Sequence, residues 1–286
     1  MEKPFLKWVG GKTQILDEVL EQFPKEMEQY HEPFLGGGSV LLGMLSLRAK
    51  GEIRVGQVFA SDVNLGLISL YQNIQTRVEE VLTLAQGLFA GLDACTGTTV
   101  NRKEMTPDPS KETFYFSIRS RFNKVDRTTV EASAMFLFLN KTCFRGVYRE
   151  GPNGFNVPYG NYKTVHLDAD HLRRVSRLIQ GVVFTAEPFP SAFQRINGFV
   201  YVDPPYAPIN ATSFVGYQAS GFHLEDHQAL FQLCKQKQFL MSNADVKLVR
   251  EAFAGYPMTV ISCRRAIHSK NPETRTNELL IKGSAP

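Results

Sequence analysis

The stretch Phe199–Tyr206, which reads FVYVDPPY, places the tightest constraint on how this 286-residue chain can fold. Its apolar, β-favouring residues predict a short strand. The two prolines that follow have no N–H to donate to a neighbouring strand, so the strand has to end at Asp203. The sequence therefore places the Asp203 carboxylate and a rigid Pro-Pro-Tyr turn at the carboxyl edge of a sheet, where open α/β sheets bind their ligands. We call Asp203–Tyr206 the DPPY turn.

Rigid polar groups at such an edge suit a reaction at a conjugated amino nitrogen, such as that of adenine. This nitrogen is a poor nucleophile because its lone pair is delocalised into the ring. Asp203 and the carbonyl of Pro204 are suited to accept its two hydrogens, while Tyr206 stacks on the base. The alternative explanation is an ordinary turn that ends a strand and buries Tyr206.

Two glycine-containing segments near the N-terminus predict further ligand contacts. Phe5–Lys12, FLKWVGGK, precedes a helical pattern but lacks the G-x-x-x-x-G-K-[ST] spacing of a Walker phosphate loop. Glu32–Val40, EPFLGGGSV, predicts a tight strand-to-helix turn that lets a ligand lie close to the main chain. Asp62 ends the next predicted strand, where nucleoside-binding folds hold ribose hydroxyls; a helix N-cap is the alternative role for Asp62.

The segment between Asp62 and the DPPY turn is too long for a simple crossover, and much of it has helical periodicity. We therefore expect a catalytic α/β domain built from residues 1–65 and 161–286, with an inserted, mostly helical domain at 66–160. The remaining strands and helices alternate and end in a strand pair. This order predicts a doubly wound sheet with helices on both faces and an antiparallel edge.

Residues Asn140–Lys163, which we call the basic-aromatic loop, read NKTCFRGVYREGPNGFNVPYGNYK. Alternating cationic and aromatic side chains suit contacts to phosphates, base edges and base faces. The chain has a net charge of +4, yet residues 113–180 contain eleven Lys and Arg against five Asp and Glu. This uneven charge predicts a polyanionic partner. A hairpin with buried aromatics and a solvated basic face are the alternatives.

Several classes of protein are disfavoured by what the sequence lacks. The four cysteines form no CxxC and no Cys/His cluster, which predicts reduced thiols in a cytosol and no metal site. No apolar run reaches the length of a membrane span, and the N-terminus has no secretory signal. The sequence also has no Pro-Cys dipeptide, which argues against the nucleophile of a cytosine C5-methyltransferase. We expect a cytoplasmic protein.

The segments KWVGGK, EPFLGGGSV, SDVN, FRGVYREGPNGFNVPYG, DPPY and RRAI…RTNELLI occur in the order and spacing found in one family. Nearly the whole chain resembles the Dam-type, D12 class adenine-N6 DNA methyltransferases of the alpha group. The resemblance implies a class I S-adenosylmethionine-dependent methyltransferase sheet with a helical target-recognition domain. It also implies S-adenosylmethionine as cofactor and duplex DNA as substrate, with GATC as the site that many members read.

The resemblance implies three sets of site residues. The catalytic set is Asp203, Pro204 and Tyr206. The cofactor-binding set is Trp8, Val9, Lys12, Phe34, Gly36, Gly37, Gly38, Ser39, Asp62, Phe189 and Asp203. The DNA-contacting set is Lys7, Phe144, Arg145, Val147, Arg149 and Pro158.

Individual roles follow from the same resemblance. Phe34 matches the turn under the methionine end of the cofactor, and Phe189 matches an aromatic residue beside its adenine. Arg149 matches an arginine that reads guanine, and Phe144 matches an intercalating aromatic. Two departures from the family pattern bear on the recognition sequence. Asn161 stands where relatives usually have an arginine, and Arg145 stands where they usually have an asparagine.

We therefore expect an enzyme that flips a target adenine out of duplex DNA and methylates its N6. One alternative is a methyltransferase for RNA adenine or protein glutamine, although glutamine enzymes usually have Asn where this chain has Asp203. Another is a non-catalytic DNA-binding protein of the same fold. We also expect a monomer, and a cognate restriction endonuclease is a candidate partner that acts separately.

Overall fold

The computed structural model describes residues 1–97, 110–208, 221–264 and 275–284, which form two compact units. The helical unit comprises Met1–Gly11, Gly36–Ser46 and Asn64–Gln180; the sheet unit comprises Lys12–Leu35, Leu47–Val63 and Gly181–Pro286. These units differ from the predicted division into 1–65 with 161–286 and 66–160, because the N-terminal segment and the glycine turn group with the helices. The division into a catalytic and a target-recognition domain stays a prediction.

Seven strands of the sheet unit form one sheet, and two short strands of the helical unit form a hairpin. In chain order the strands are β1 Glu26–Glu32, β2 Arg54–Asp62, β3 Glu150–Gly151, β4 Gly154–Phe155, β5 Val182–Ala186, β6 Phe199–Val202, β7 Gln238–Ala244, β8 Met258–Arg264 and β9 Arg275–Gly283. The sheet has the order β5-β2-β1-β6-β7-β9-β8. Strand β9 is antiparallel to both of its neighbours, β7 and β8. The other four pairs, β5–β2, β2–β1, β1–β6 and β6–β7, are parallel. The predicted α/β sheet with an antiparallel strand pair at one edge is confirmed.

Nine α-helices lie in the described ranges. They are α1 Leu16–Glu21, α2 Ser39–Ala49, α3 Leu65–Asp93, α4 Lys111–Phe122, α5 Val130–Thr142, α6 Ala169–Leu178, α7 Phe189–Gln194, α8 Leu224–Cys234 and α9 Lys247–Ala252. None of them is long and apolar enough to cross a membrane.

The core of the sheet unit lies where β6, β7 and β9 pack against α7, α8 and α9. Its apolar side chains include Phe193, Val200, Phe239, Phe253 and Ile281, all almost fully buried. All four residues of β6 are buried, as expected for a strand inside a parallel sheet. Strand β6 ends at Val202, one residue before the predicted end at Asp203, which directly precedes the two prolines. The DPPY turn is therefore fixed at the carboxyl edge.

The helical unit is built on the long helix α3, which packs mainly against α5 and also against α4 and α6. Asn64 caps α3: its side chain accepts a hydrogen bond from the Leu67 N–H at 3.0 Å. The alternative of Asp62 as the cap is therefore wrong. Asp62 is the last residue of β2 and lies at the carboxyl edge of the sheet.

Three segments whose sequences are typical of loops lie wholly or largely outside the described residues. They are the turn-rich segment 96–110, the loop carrying Phe214 and Tyr217, and the polar loop HSKNPETRTN.

Candidate active site

The carboxyl edge of the sheet brings together acidic residues that are distant in sequence. Glu32 and Asp62 end the neighbouring parallel strands β1 and β2, and Asp203 follows β6. Glu278 reaches the same edge because β9 runs in the opposite direction and pairs Glu278 with Ala244, the last residue of β7. Sequence reasoning identified Asp62 and Asp203 but assigned no role to Glu32 or Glu278.

An ion pair between Lys12 and Asp203 lies at the centre of this edge. The Lys12 Nζ lies 2.7 Å from Asp203 Oδ2, and the Lys12 side chain is only 4% exposed while that of Asp203 is 19% exposed. The same ammonium lies over the Tyr206 ring, 4.9 Å from its centroid. The structure thus brings one predicted cofactor-binding residue and two predicted catalytic residues into direct contact.

Opposing influences set the charge of Asp203. Burial raises the pKa of its carboxyl from 3.8 to about 6, and the neighbouring Lys12 ammonium limits that rise. Glu278 adds a smaller upward contribution. Asp203 is therefore an ionised hydrogen-bond acceptor near neutral pH.

Contacts on both sides of Tyr206 hold the DPPY turn. The Tyr206 hydroxyl donates to Glu278 Oε2 at 2.7 Å. The Ala207 N–H donates to the Asn243 side-chain oxygen at 3.1 Å, and Asn243 is fully buried in β7. Pro204 is buried, so its carbonyl belongs to a fixed part of the chain. The sequence analysis did not identify Asn243. An amide side chain within the apolar run of β7 was the feature that could have indicated it.

A second buried carboxyl, Glu32, lies near the Lys12–Asp203 pair. Glu32 is 3% exposed and accepts a hydrogen bond from the Tyr30 hydroxyl at 2.5 Å. Burial raises the pKa of Glu32 from 4.5 to about 8; Tyr30 and Lys12 oppose that rise and Asp203 adds to it. Glu32 is therefore neutral near pH 7 and does not compete with Asp203 for the Lys12 ammonium.

Three aromatic rings form a cluster in the sheet unit. Phe34 stacks on Phe189 with centroids 5.7 Å apart, and Phe222 contacts both rings. Phe34 is half-buried, whereas Phe189 is only 9% exposed. Phe34 thus offers more accessible ring surface to a ligand than Phe189 does. Phe222 was not among the predicted site residues.

Trp8 and the glycine turn pack together within the helical unit. A Cβ atom added to Gly37 would lie 2.8 Å from Trp8 Cβ, and one added to Gly36 would lie 3.0 Å from the indole ring. Gly36 and Gly38 also have positive φ angles, of 49° and 67°. Glycine is therefore required here for backbone conformation and for the approach of Trp8. Ser39, the first residue of α2, is buried.

The N-terminal segment is tied to α5 by one side chain. Asn140 accepts a hydrogen bond from the Lys7 N–H at 3.0 Å and donates to the Lys7 carbonyl at 2.8 Å. The Lys7 ammonium lies over the Tyr162 ring, 4.7 Å from its centroid. Val9, by contrast, is 55% exposed. Lys7 thus lies beside the basic-aromatic loop, and its DNA contact stays a prediction.

The predicted DNA-contacting residues of the basic-aromatic loop are mostly exposed. Phe144 is 50% exposed, and Arg149 is exposed with its Nε donating to the Asn156 side chain at 2.7 Å. Val147 is half-buried and Pro158 is exposed. The alternative of a hairpin with buried aromatics holds for one ring, that of Phe155, which is 2% exposed.

Both departures from the family pattern occupy the left-handed backbone region. Arg145 has a φ of 57° and Asn161 a φ of 50°. Asparagine tolerates this conformation better than arginine does. The asparagine that relatives usually have at the position of Arg145 therefore suits the backbone, and Arg145 places strain there. Its N–H donates to the Tyr162 hydroxyl at 2.7 Å.

The α/β sheet, with a DPPY turn and an ion-paired aspartate at its carboxyl edge, agrees with the class I methyltransferase sheet that the resemblance implies. A model of the D12 class N6 adenine-specific DNA methyltransferase family matches residues 8–267. The type II methyltransferase M.MjaIII of Methanocaldococcus jannaschii is 34% identical over 98% of this chain and 98% of its own length. The DNA adenine methylases of Haemophilus influenzae and Escherichia coli are 33% and 32% identical, over 96% and 97% of this chain and 90% and 94% of theirs.

The chain therefore belongs to the D12 class N6 adenine-specific DNA methyltransferase family. This membership confirms the resemblance and favours adenine in DNA over RNA adenine, protein glutamine and a non-catalytic binding role.

Proposed function

We propose that this protein transfers a methyl group from S-adenosylmethionine to N6 of an adenine flipped out of duplex DNA, within GATC. The observation that carries the proposal is the Asp203 carboxylate, held 2.7 Å from a buried lysine and beside the Tyr206 ring. Asp203, Pro204 and Tyr206 are its catalytic residues.

The donor set of the chain fits S-adenosylmethionine. At the carboxyl edge of the sheet unit, Asp62 offers a carboxylate to the ribose hydroxyls, and Phe34 and Phe189 offer apolar ring surface. Lys12, paired with Asp203, is a further proposed contact in this unit. In the helical unit the proposed contacts are Trp8, Val9, Gly36, Gly37, Gly38 and Ser39. When bound, this cofactor supplies an electrophilic methyl group.

The DPPY turn activates the amino nitrogen. The Asp203 carboxylate accepts one N6 hydrogen and the Pro204 carbonyl accepts the other, which pulls the nitrogen towards tetrahedral geometry and frees its lone pair. Tyr206 stacks on the base, and its hydroxyl stays fixed to Glu278. With the cofactor bound, the N–CH₃ bond would form as the S–CH₃ bond breaks to leave a neutral thioether, and the nitrogen would release one proton towards Asp203. Catalysis here depends on positioning and electrostatics, without a covalent enzyme intermediate.

Lys12 and Glu32 keep the Asp203 carboxylate ionised, so that it can accept the N6 hydrogen. Lys12 occupies Oδ2 of the carboxylate, so the other oxygen is left to accept the N6 hydrogen. The cation also favours the ionised form of Asp203, which burial alone would disfavour. Glu32 stays neutral near pH 7 because burial raises its pKa, so it does not draw the Lys12 charge away from Asp203.

The basic-aromatic loop supplies the proposed DNA contacts. Arg149 reads a guanine by a bidentate contact in the major groove, worth about 1–3 kcal/mol of discrimination. Phe144, exposed at the start of the loop, fills the space that the flipped base leaves. Lys7, Arg145, Val147 and Pro158 complete this set. We further propose a cytoplasmic monomer, with a separately acting restriction endonuclease as a candidate partner.

Transfer of labelled methyl from S-adenosylmethionine tests the function. The substrates are a duplex with GATC, a duplex in which one base of that site is changed, and a duplex without adenine. Label on the GATC duplex alone is expected. Label on the changed duplex as well would overturn the GATC assignment, and no label on any duplex would overturn the function.

A further inference from the structure

Tyr148 in the basic-aromatic loop turns its ring towards the interior of the helical unit. Tyr148 lies between Val147 and Arg149, two proposed DNA contacts. Val147 has extended backbone angles, φ −73° and ψ 135°, and in extended chain successive side chains point to opposite sides. Arg149 is exposed, whereas Tyr148 is half-buried.

Tyr148 lies at the centre of an aromatic stack. Its ring stacks on Trp8 with centroids 5.5 Å apart and an interplanar angle of 23°, and on Phe136 at 5.0 Å and 12°. Phe155, on the opposite strand of the β3–β4 hairpin, packs on it at 5.4 Å. Trp8 in turn covers the glycine turn, where a Cβ atom on Gly37 would clash with it. Any displacement of Trp8 therefore acts directly on the Tyr148 ring.

Polar contacts fix the other end of the same side chain. The Tyr148 hydroxyl donates to Glu150 Oε1 at 2.6 Å and hydrogen-bonds with the Asn64 side chain. Arg127 donates to the same Glu150 oxygen at 3.3 Å. Asn64 caps α3 and lies two residues after Asp62, the proposed ribose ligand. Tyr148 is thus bonded to one cofactor-binding segment, SDVN, and stacked on another, KWVGGK.

We infer that Tyr148 is a positioning residue that couples cofactor binding to DNA reading by Arg149. A cofactor that orders Trp8 and the SDVN segment also orders Tyr148 and, through it, the segment that presents Arg149. Thermodynamic linkage makes the effect reciprocal, so a bound cognate duplex tightens cofactor binding by the same factor. This inference rests on the proposed function, because it requires that Trp8 contacts the cofactor and Arg149 the DNA.

The chain offers its own probe, since Trp8 is its single tryptophan. The emission of Trp8 is titrated with the non-reactive product S-adenosylhomocysteine, with and without a saturating GATC duplex. The ratio of the two dissociation constants is the coupling factor, for which the wild-type protein is expected to give about 5–150. Tyr148→Leu removes the stack and the hydroxyl, and we expect its coupling factor to fall towards one. Its unliganded Trp8 emission should also shift to longer wavelength.

Two further variants separate coupling from general loss of packing. Tyr148→Phe keeps the ring but not the bonds to Glu150 and Asn64, so its coupling factor should lie between those of the wild type and Tyr148→Leu. Tyr159→Leu removes another aromatic from the same loop, one that packs on Tyr115 at 5.4 Å, and should leave the coupling factor unchanged. Thermal unfolding of each variant identifies any that is not folded; Tyr148→Phe then carries the test.

Each outcome has one meaning. Equal coupling factors in the wild type, Tyr148→Phe and Tyr148→Leu would overturn the inference, as would a wild-type factor of one. If the coupling factor falls as much in Tyr159→Leu as in Tyr148→Leu, the effect of Tyr148 is one of packing alone and the inference is overturned. A wild-type protein that binds neither S-adenosylhomocysteine nor the duplex would instead overturn the proposed function, and the inference with it.

Discussion

The candidate active site and the basic-aromatic loop use charge in opposite ways. At the active site the cation of Lys12 is 4% exposed and already paired with Asp203, and Tyr206 is bonded to Glu278. In the loop Arg149 is exposed and bonded to a neutral amide, that of Asn156. The groups proposed to perform the chemistry are thus ordered by partners within the protein, whereas the arginine proposed to read DNA has a neutral amide, not a carboxylate, as its partner in that contact.

This contrast predicts a separation of effects. Changes at the DPPY turn should slow methyl transfer on every duplex by a similar factor, because they act after the base is bound. Changes in the loop should alter the choice among duplexes, because discrimination arises from contacts to base edges.

The largest effect is expected for Asp203→Ala. Removing a preorganised group that stabilises the transition state costs about 10²–10³ in rate, and here the change also leaves Lys12 without its anion. We expect single-turnover transfer to fall by at least about 10³ on all duplexes, with duplex affinity measured by anisotropy little changed. Asp203→Asn, which keeps one acceptor oxygen, should retain more activity. Unchanged transfer in Asp203→Ala would remove Asp203 from the mechanism.

Arg149→Ala should act on selectivity instead. Loss of a bidentate guanine contact should reduce the preference for GATC over a duplex changed at that guanine by about 5–150-fold, equivalent to about 1–3 kcal/mol. Transfer to the changed duplex should stay nearly the same, because that duplex never made the contact. Equal loss on both duplexes would assign Arg149 to phosphate binding.

The pH dependence of the rate should reflect Asp203. Its carboxyl has a pKa of about 6, so the acceptor is lost as the pH falls through that value. Single-turnover rates should decline below about pH 6, whereas the residual rate of Asp203→Asn should vary little over that range. A wild-type rate that stays flat down to about pH 5 would contradict the proposed acceptor role.

Glu32 should make stability pH-dependent in a defined direction. Its pKa is raised from 4.5 to about 8 on folding, so between these values the folded state binds a proton that the unfolded state releases. The free energy of unfolding should therefore fall as the pH rises through this window, by at most about 1.4 kcal/mol per pH unit. Glu32→Gln should reduce that slope, and Glu28→Gln, exposed on the same strand, should not. Identical slopes in all three proteins would contradict the assignment.

The smallest effects concern backbone strain in the loop. Arg145→Asn should raise the free energy of unfolding by about 0.5–1 kcal/mol, because asparagine tolerates a positive φ better than arginine. Asn161→Ala should lower it by a similar amount for the converse reason. Chemical denaturation measures both. A change of the same sign in the two variants would show that side-chain contacts, not backbone strain, dominate at these positions.

Some features could be predicted from local sequence because local chemistry determines them. The two prolines end β6 at Val202 whatever surrounds them, and so they fix the position of Asp203. The alternation of strands and helices likewise predicted the sheet. The cap of α3 was harder to predict, because Ser61, Asp62 and Asn64 are all of residue types that cap helices. In the structure the cap is Asn64, not Asp62.

Other features depend on partners that are distant in the chain. Strand β1 reads EMEQYHE, and neither an apolar run nor strict alternation reveals that Tyr30, His31 and Glu32 are buried. Asn243 and Glu278 are polar residues within strands, and only the folded sheet brings them to Ala207 and Tyr206. The pairing of Lys12 with Asp203 and the stacking of Trp8 on Tyr148 arise in the same way.

The most direct test of the central claim compares selectivity in two variants. Single-turnover methyl transfer is measured on a GATC duplex and on one changed at the guanine, for the wild type, Asp203→Asn and Arg149→Ala. The ratio of the two rates should be the same in Asp203→Asn as in the wild type, although both rates are lower, and it should collapse in Arg149→Ala. A ratio that falls equally in both variants would contradict the separation of chemistry from DNA reading.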